Sequence, residues 1–247
     1  MTALIAALGM YDWPPMQAAN DRLWALIHDG LRARGMEAPE RLTRGADAYL
    51  PGWLSPDLLL SQTCGLPFRT ILTGRVRLVG TPDYGLPGVD PGYYRSVLIA
   101  PLAGDTEGGR LAYNDDGSQS GWAAPLTHAA RNGWRITPHL HSGSHRESIR
   151  AVAEGRADLA GIDAVTWRLA ERFQPDLTAR VRVIGHTAPT PGLPLITAAA
   201  RDPAPLFDAV RGAIAVLPSA DRDLLGLRGI VAIPEADYQA VPTPLGR

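Results

Sequence analysis

The sequence predicts an α/β protein of two lobes, each a mostly parallel β-sheet flanked by helices. Thr2–Gly9 is a continuous apolar run, which is typical of a strand buried on both faces of a parallel sheet. From Arg110 to Phe173, strand-like and helix-like segments alternate. Such alternation indicates a parallel sheet with helices covering its faces.

Two turn-rich segments predict where the chain passes from one lobe to the other. The first lies near Pro101–Gly109, and the second, His186–Pro194, contains three prolines and a glycine. We therefore assign residues 1–101 and 190–247 to lobe 1 and residues 102–189 to lobe 2. A cleft between two such lobes is a common place for a small ligand.

The individual elements follow from periodicity and from the residues that end helices. In the first predicted helix Leu23, Ile27 and Leu31 lie one turn apart, and Gly35 follows as a C-cap. The predicted helices are Gln17–Arg34, Ala123–Asn132, His145–Glu154, Thr166–Phe173 and Ala204–Val216. After Thr2–Gly9, the predicted strands are Leu58–Leu60, Leu66–Leu72, Val76–Val79, Tyr93–Pro101, Arg110–Tyr113, Ile136–Leu140, Ala157–Ile162, Arg180–Gly185, Leu195–Ala200 and Ile230–Ile233.

Composition excludes several classes of partner and chemistry. The net charge is −1 over 247 residues, so nothing predicts a nucleic-acid or anionic-membrane partner. All 24 basic residues are arginine, which excludes lysine Schiff-base chemistry, and a single cysteine, Cys64, excludes an intrachain disulfide. No apolar run approaches the roughly 20 residues of a membrane span. We expect no cofactor and no membrane insertion.

The compartment stays open at this point. The apolar N-terminal run is short and lacks a basic region before it, so we interpret it as a buried strand rather than a signal peptide. Either the protein stays in the cytoplasm, or the sequence is a mature form with a restored methionine.

The segment Tyr113–Trp122 predicts an anion cradle. Asn114–Gly117 are turn residues, and Ser118, Gln119 and Ser120 stand where the first turn of the next helix begins. A helix start has about four backbone N–H groups without internal partners and roughly half a positive charge. An oxyanion can bind there without a basic side chain. The alternative is an ordinary N-cap followed by a turn, because serine is a preferred cap.

Two further polar clusters follow predicted strands. Gln62 and Thr63 end one strand, and Ser142–Ser144 precede a helix that starts at His145. His145 can donate a hydrogen bond to an anion or can be a surface histidine. Asp163 either contacts a ligand or caps the next helix, and Tyr11 follows the first strand at the edge where α/β sheets bind ligands.

Catalytic and metal sites have weaker support. Of His139, His141 and His145, the last two are four residues apart, but Gly143 lies between them, so we do not expect them to share a helix face. No His-Glu-x-x-His motif is present. We expect no metal. The segment from Gly117 to Gly121 places Gln119 where a hydrolase would have its nucleophilic serine. Cys64 with His145 remains a possible nucleophile pair, although a buried structural cysteine is the alternative.

Three segments resemble the phosphate/phosphonate-type solute-binding proteins of ABC transporters. Ser61–Pro67 resembles the Gln-Thr-Cys-Gly segment of that family, and Tyr113–Gly121 resembles its Asn-Asp-x-x-Ser-x-Ser-Gly cradle. Gly143–Asp163 resembles its block of Ser-His followed by Val-Ala-x-Gly-x-Ala-Asp-x-Ala-x-Ile-Asp. The last block is the most specific.

This resemblance implies a type II periplasmic-binding-protein fold that closes on a ligand. It implies that Ser118, Gln119 and Ser120 hold an oxyanion with the help of His145. Asp163 would lie near the far end of the ligand, and Tyr11 and Tyr94 would be wall residues.

The resemblance also implies an ABC permease as partner. Phosphonate binders of the family that the chain resembles usually have an acidic residue in the second crossing to meet an amino group. Thr190–Pro194 contains none, and this departure argues against a 2-aminoalkylphosphonate. The expected function is the binding of phosphate, a phosphonate without an amine or a similar anion. The alternatives are a cytoplasmic enzyme, for example in cofactor-precursor synthesis, and a ligand sensor.

Overall fold

A computed structural model describes residues 4–104 and 107–244. The strands are β1 Ile5–Ala7, β2 Leu58–Gln62, β3 Val76–Asp83, β4 Tyr93–Tyr94, β5 Ser96–Pro101, β6 Gly108–Tyr113, β7 Arg135–His141, β8 Leu159–Asp163, β9 Val181–His186, β10 Thr190–Pro191, β11 Leu195–Ala198 and β12 Gly229–Val231. The helices are α1 Gln17–Arg32, α2 Leu50–Trp53, α3 Gly65–Arg69, α4 Ala124–Arg131, α5 His145–Ala153, α6 Ala164–Phe173, α7 Pro175–Thr178, α8 Ala204–Val216, α9 Ser219–Leu225 and α10 Glu235–Gln239.

The chain divides into two compact units, each with its own five-stranded sheet. Unit 1 comprises Met1–Gly92 and Pro191–Tyr238, and unit 2 comprises Tyr93–Thr190 and Gln239–Arg247. We expected residues 93–101 in lobe 1, but β5 pairs with β8 and β9 and therefore belongs to the sheet of unit 2. The assignment of these units as ligand-binding lobes stays a prediction.

In unit 1 the sheet has the order β1-β2-β11-β3-β12. All five residues of β2 are buried, as expected for a strand covered on both faces. The helices α1 and α8 pack against each other through apolar side chains. Those of α1 include Leu23, Ile27 and Leu31, and those of α8 include Leu206, Val210 and Ile214.

In unit 2 the sheet has the order β7-β6-β8-β5-β9. The strand β6 runs parallel to both β7 and β8. The carboxyl ends of these three strands therefore lie at one edge, where α/β sheets bind ligands. Ser118, His145 and Asp163 all follow or end these strands, so the predicted cradle residues meet at this edge.

Both sheets are mixed, although we expected mostly parallel ones. In unit 1, β11 is antiparallel to β2 and β3, and in unit 2, β5 is antiparallel to β8 and β9. Each of these strands comes shortly after the chain has entered its unit. No helix stands between β3 and β5 or between β9 and β11, so neither strand enters its sheet through a β–α–β crossover, the connection that makes strands parallel.

Two local predictions need correction. The expected strand Leu66–Leu72 is instead the helix α3, in which Pro67 lies in the first turn, where its missing N–H costs no hydrogen bond. The first strand is shorter than Thr2–Gly9, because Gly9 already begins a 3₁₀ turn. Thr2 and Ala3, Asp105 and Thr106 of the first predicted crossing, and residues 245–247 of predicted lobe 1 lie outside the described residues.

The last helix is anchored to unit 1 by Tyr238. Its hydroxyl lies 2.6 Å from Thr81 Oγ1 and donates to the carbonyl of Gly192 at 3.1 Å. Its ring packs edge-to-face on Phe68, with 5.0 Å between the centroids. Tyr238 is 1% exposed.

We expect Tyr238→Phe to lower the free energy of unfolding by about 1–3 kcal/mol, because it leaves buried polar partners unsatisfied. The measurement is urea denaturation. Tyr49→Phe is the matched control, since Tyr49 is 44% exposed and its loss should cost less than about 0.5 kcal/mol. Equal losses in the two variants would contradict this role of Tyr238.

Candidate functional site

The predicted cradle is a tight turn in unit 2 between β6 and α4. Ser118 has extended backbone angles and acts as the N-cap, and one π-helical turn, Gln119–Ala123, leads into α4. Ser118, Gln119 and Ser120 are 5%, 2% and 3% exposed. Single π-helical turns occur often at functional sites. Polar side chains are therefore held in a buried position at the start of a helix, as the sequence indicates.

Ser118 accepts hydrogen bonds from N–H groups of the helix that it caps. Its Oγ accepts the N–H of Gly121 at 2.9 Å, and its carbonyl accepts the N–H groups of Trp122 and Ala123. Of the N–H groups of the first turn, that of Gly121 is therefore used within the protein, whereas the bonds of Trp122 and Ala123 are the ordinary first bonds of the helix. The hydroxyl hydrogen of Ser118 is not used by its bond to Gly121.

Ser120 links the cradle to the start of α5. Its Oγ lies 3.0 Å from Nε2 of His145, the first residue of that helix. Ser144 caps α5 by accepting the N–H of Glu147 at 3.1 Å. The carbonyl of Ser120 accepts the hydroxyl of Ser96, a buried residue of β5, at 2.8 Å. Two helix starts, each carrying about half a positive charge, therefore meet at the Ser120–His145 contact.

His145 is neutral at neutral pH. Desolvation by burial lowers the pKa of the imidazole to about 4, and a backbone contact with Gly161 opposes this shift. The residue keeps some exposed surface, but Nδ1 is buried, and its contact with the Gly161 backbone does not meet the geometry of a hydrogen bond. Burial of this ring nitrogen disfavours the charged imidazolium, which is the cause of the lowered pKa.

Gly121 permits the close packing of the cradle. A Cβ at this position would lie 1.8 Å from Asn114 Oδ1 and 3.2 Å from His145 Cε1. Asn114 Oδ1 is buried without a hydrogen-bond partner within the described residues. From the sequence we placed Asn114 in the turn of the cradle segment and did not name it as a site residue. Its polar side chain, four residues before Ser118, was the available signal for a role in the site.

Two roles were predicted for Asp163, a ligand contact and a helix cap, and the structure shows the helix cap. Its Oδ1 accepts the N–H groups of Val165 at 2.8 Å and Thr166 at 2.9 Å, so it caps α6. It is 3% exposed. Tyr94 lies in β4 of unit 2 and is 3% exposed. A ligand contact by either residue stays a prediction.

The remaining candidates lie in unit 1, and two of them, Tyr11 and Gln62, line a small cavity. Gln62 Nε2 donates to the Tyr84 hydroxyl at 3.1 Å and to the Leu193 carbonyl at 3.3 Å. Tyr11 packs edge-to-face on Tyr84, with 5.0 Å between the ring centroids. These side chains line a cavity of about 30 Å³. Sequence reasoning missed Tyr84, which connects Tyr11 to Gln62.

Thr63 adds an unsatisfied polar atom to unit 1. It follows β2 and is fully buried, and its N–H donates to the Pro194 carbonyl at 3.0 Å. Its Oγ1 has no hydrogen-bond partner within the described residues. Cys64 is also buried and stands directly before α3.

His139 and His141 contact aromatic rings. Both are exposed on β7, and their rings lie 6.3 Å and 5.3 Å from the ring of Tyr113. His139 also packs on Trp122 at 4.8 Å. Within residues 4–104 and 107–244, no three His, Cys, Asp or Glu side chains are grouped to hold a metal ion. Across the same residues, no helix has both the length and the apolar character needed to cross a bilayer.

A family model matches residues 84–240, more than half of the chain and including all of the cradle. Its description is "ABC transporter, phosphonate, periplasmic substrate-binding protein". The chain belongs to this family. No curated protein matches the sequence.

Solved structures agree with this phosphonate-binding family in fold. PhnD1 from Prochlorococcus marinus, solved with methylphosphonate, has a TM-score of 0.70 at 15% identity, with 96% of this chain and 94% of that chain covered. XAC2383 from Xanthomonas citri, bound to chloride, has a TM-score of 0.72 at 15% identity, with 97% and 95% covered. A phosphonate transporter binding component from Pseudomonas aeruginosa has a TM-score of 0.67 at 15% identity, with 96% and 84% covered. The fold is that of type II periplasmic binding proteins.

We expect Gly121→Ala to lower the free energy of unfolding by about 1–3 kcal/mol, because the added methyl group overlaps Asn114 Oδ1. Gly212→Ala is the matched control. Gly212 lies in α8 with open space around its Cα, so alanine there should stabilise the helix by up to about 1 kcal/mol. Thermal or urea unfolding of both variants tests this, and a stable Gly121→Ala variant would contradict the packing described above.

Proposed function

We propose that this chain binds a small oxyanion at the cradle Ser118–Ser120, as the solute-binding component of an ABC transporter. A phosphonate without an amino group is the ligand that the site fits best. The observation that carries this proposal is the contact between Ser120 and His145, which joins the starts of two helices beside a buried cluster of hydroxyl groups. Binding to an ABC permease is proposed from the family to which the chain belongs.

The donors available at the cradle support an anion. The Ser118 hydroxyl accepts the Gly121 N–H, so its own hydrogen can still be donated to a ligand oxygen. No cationic side chain is hydrogen-bonded to Ser118 or Ser120 among the described residues, so an anion there would be held by neutral donors and by helix-start charge. Such donors are strong in a buried site because water does not compete for them.

We infer a ligand without an amino group from the positions and hydrogen bonds of the nearby acidic residues. Asp163, the buried carboxylate at the same edge of the sheet, accepts two backbone N–H groups as the cap of α6. Thr190–Pro194, in the second crossing, contains no acidic residue. Methylphosphonate, which is bound by the structurally similar PhnD1, has no amino group and is therefore our preferred probe.

We expect Ser118→Ala combined with Ser120→Ala to weaken the binding of methylphosphonate by about 1–3 kcal/mol, since two hydroxyl donors or acceptors are lost. Isothermal titration calorimetry with methylphosphonate and with inorganic phosphate measures this. Ser219→Ala, an exposed serine of α9, is the control and should bind as the unchanged protein does.

Loss of the Ser118 cap should also lower stability by about 1 kcal/mol, so the titrations are made well below the unfolding temperature of each variant. Full affinity in the double variant would contradict the cradle as the binding site. If neither anion binds the unchanged protein, the proposed ligand class is wrong.

A further inference from the structure

The strand β7 carries two histidines on the same face. His139 and His141 are two residues apart in the strand, and side chains two apart leave a strand on one side. The pairing with β6 is regular at this point, with His139 opposite Leu111 and His141 opposite Tyr113. Both imidazoles contact the ring of Tyr113, as expected for a shared face. From the sequence we considered only a shared helix face for the histidines, whereas on a strand the relevant period is two.

Both imidazoles keep ring nitrogens for an external ligand. Within the described residues, neither ring makes a hydrogen bond or an ion pair, and the contacts of both are with aromatic rings. Both histidines are exposed, and β7 is an end strand of its sheet. A neutral imidazole has one nitrogen with a lone pair that can bind a metal ion. Two such lone pairs are therefore available side by side.

Aromatic rings restrict the movement of the two imidazoles. The ring of Trp122 lies 4.8 Å from that of His139 at an interplanar angle of 81°, and the ring of Tyr113 lies 5.3 Å from that of His141. Trp122 and Tyr113 also pack on each other at 4.5 Å. Side chains that are already restricted lose less conformational entropy when they bind a ligand together.

We propose that His139 and His141 bind one divalent transition-metal ion, with Cu²⁺ held more tightly than Ni²⁺ or Zn²⁺. Imidazole nitrogen suits these three ions, and the order of affinity is the usual one for nitrogen sites. Metal–nitrogen bonds of about 2.0–2.1 Å place two neighbouring ligand nitrogens about 3 Å apart. The Cα atoms of residues two apart on a strand are separated by about 6.6 Å, a span that two converging imidazoles can close.

This metal site is separate from the proposed oxyanion site. His145 is bonded to Ser120 and is not one of the ligands. In the described part of the chain, no Asp, Glu or Cys forms a group of three with the two histidines, so water completes the coordination. Mg²⁺ and Ca²⁺, which require oxygen ligands, should therefore not bind to this pair.

The test titrates the protein, free of any purification tag, with Cu²⁺ in a buffer that does not bind metals. Isothermal titration calorimetry should give one ion per chain at this pair. Tryptophan fluorescence should be quenched in part, because the ion would lie beside Trp122, which is one of six tryptophans. An excess of Zn²⁺, which does not quench, should protect the fluorescence by occupying the same nitrogens.

Substitution by glutamine removes each imidazole but keeps a polar side chain of similar length. His139→Gln and His141→Gln should each raise the Cu²⁺ dissociation constant by at least about tenfold, because the remaining imidazole binds without a linked partner. His186→Gln is the matched control and should bind Cu²⁺ as the unchanged protein does. His186 is an exposed histidine of β9, the strand at the other end of the same sheet.

A fourth variant tests the position of the ion. Trp122→Phe should remove most of the quenching and change the dissociation constant from calorimetry by less than about threefold, since phenylalanine keeps the ring contact. Quenching that persists in Trp122→Phe would place the ion elsewhere and contradict the site.

Three further results would overturn the inference. The first is the absence of saturable Cu²⁺ binding, and the second is binding that is unchanged in His139→Gln or in His141→Gln. The third is two ions per chain, of which each variant loses one, because the imidazoles would then act independently. The oxyanion proposal is not affected by any of these outcomes, since methylphosphonate titration tests it separately.

Discussion

The contact between Ser120 and His145 is the interaction on which the rest of the site depends. It joins the turn after β6 to the first residue of α5, and the Ser96 hydroxyl fixes the same serine from β5. Three elements of unit 2 thus converge on one buried residue that is 3% exposed. Because the imidazole is neutral, the positive potential there comes from helix starts rather than from a charged side chain. A site of this kind would hold the proposed anion without the cost of burying a permanent cation.

The position of the cradle was predictable because its signals are local. A buried strand, a run of turn residues and small hydroxyl residues before a helix all occur within Tyr113–Trp122. The structure places β6, the turn and α4 in that order. The use of Ser118 as a cap for Gly121, and the crowding of Asn114 against Gly121, depend on how the chain folds back on itself. No spacing in the sequence encodes those contacts.

The errors in the fold have a common physical origin. The direction of β5 and β11 depends on partners that are far away in the sequence, so apolar runs alone predict a strand but not its neighbours. The segment Gly65–Arg69 shows the same ambiguity for short apolar runs, because Leu66 and Phe68 are buried equally well in a helix as in a strand. The role of Asp163 is ambiguous in the same way, because a carboxylate can either cap a helix or bind a ligand. Only the structure reveals its bonds to Val165 and Thr166.

The most direct measurement is a crystal structure of the protein grown with methylphosphonate. The account predicts a phosphonate group within hydrogen-bonding distance of the Ser118 hydroxyl, the Ser120 hydroxyl and the Ser120 N–H, with the Ser120–His145 bond retained. Density for the ligand at another place, or an ordered cradle in which a protein group accepts the Ser120 N–H while the ligand binds elsewhere, would contradict it.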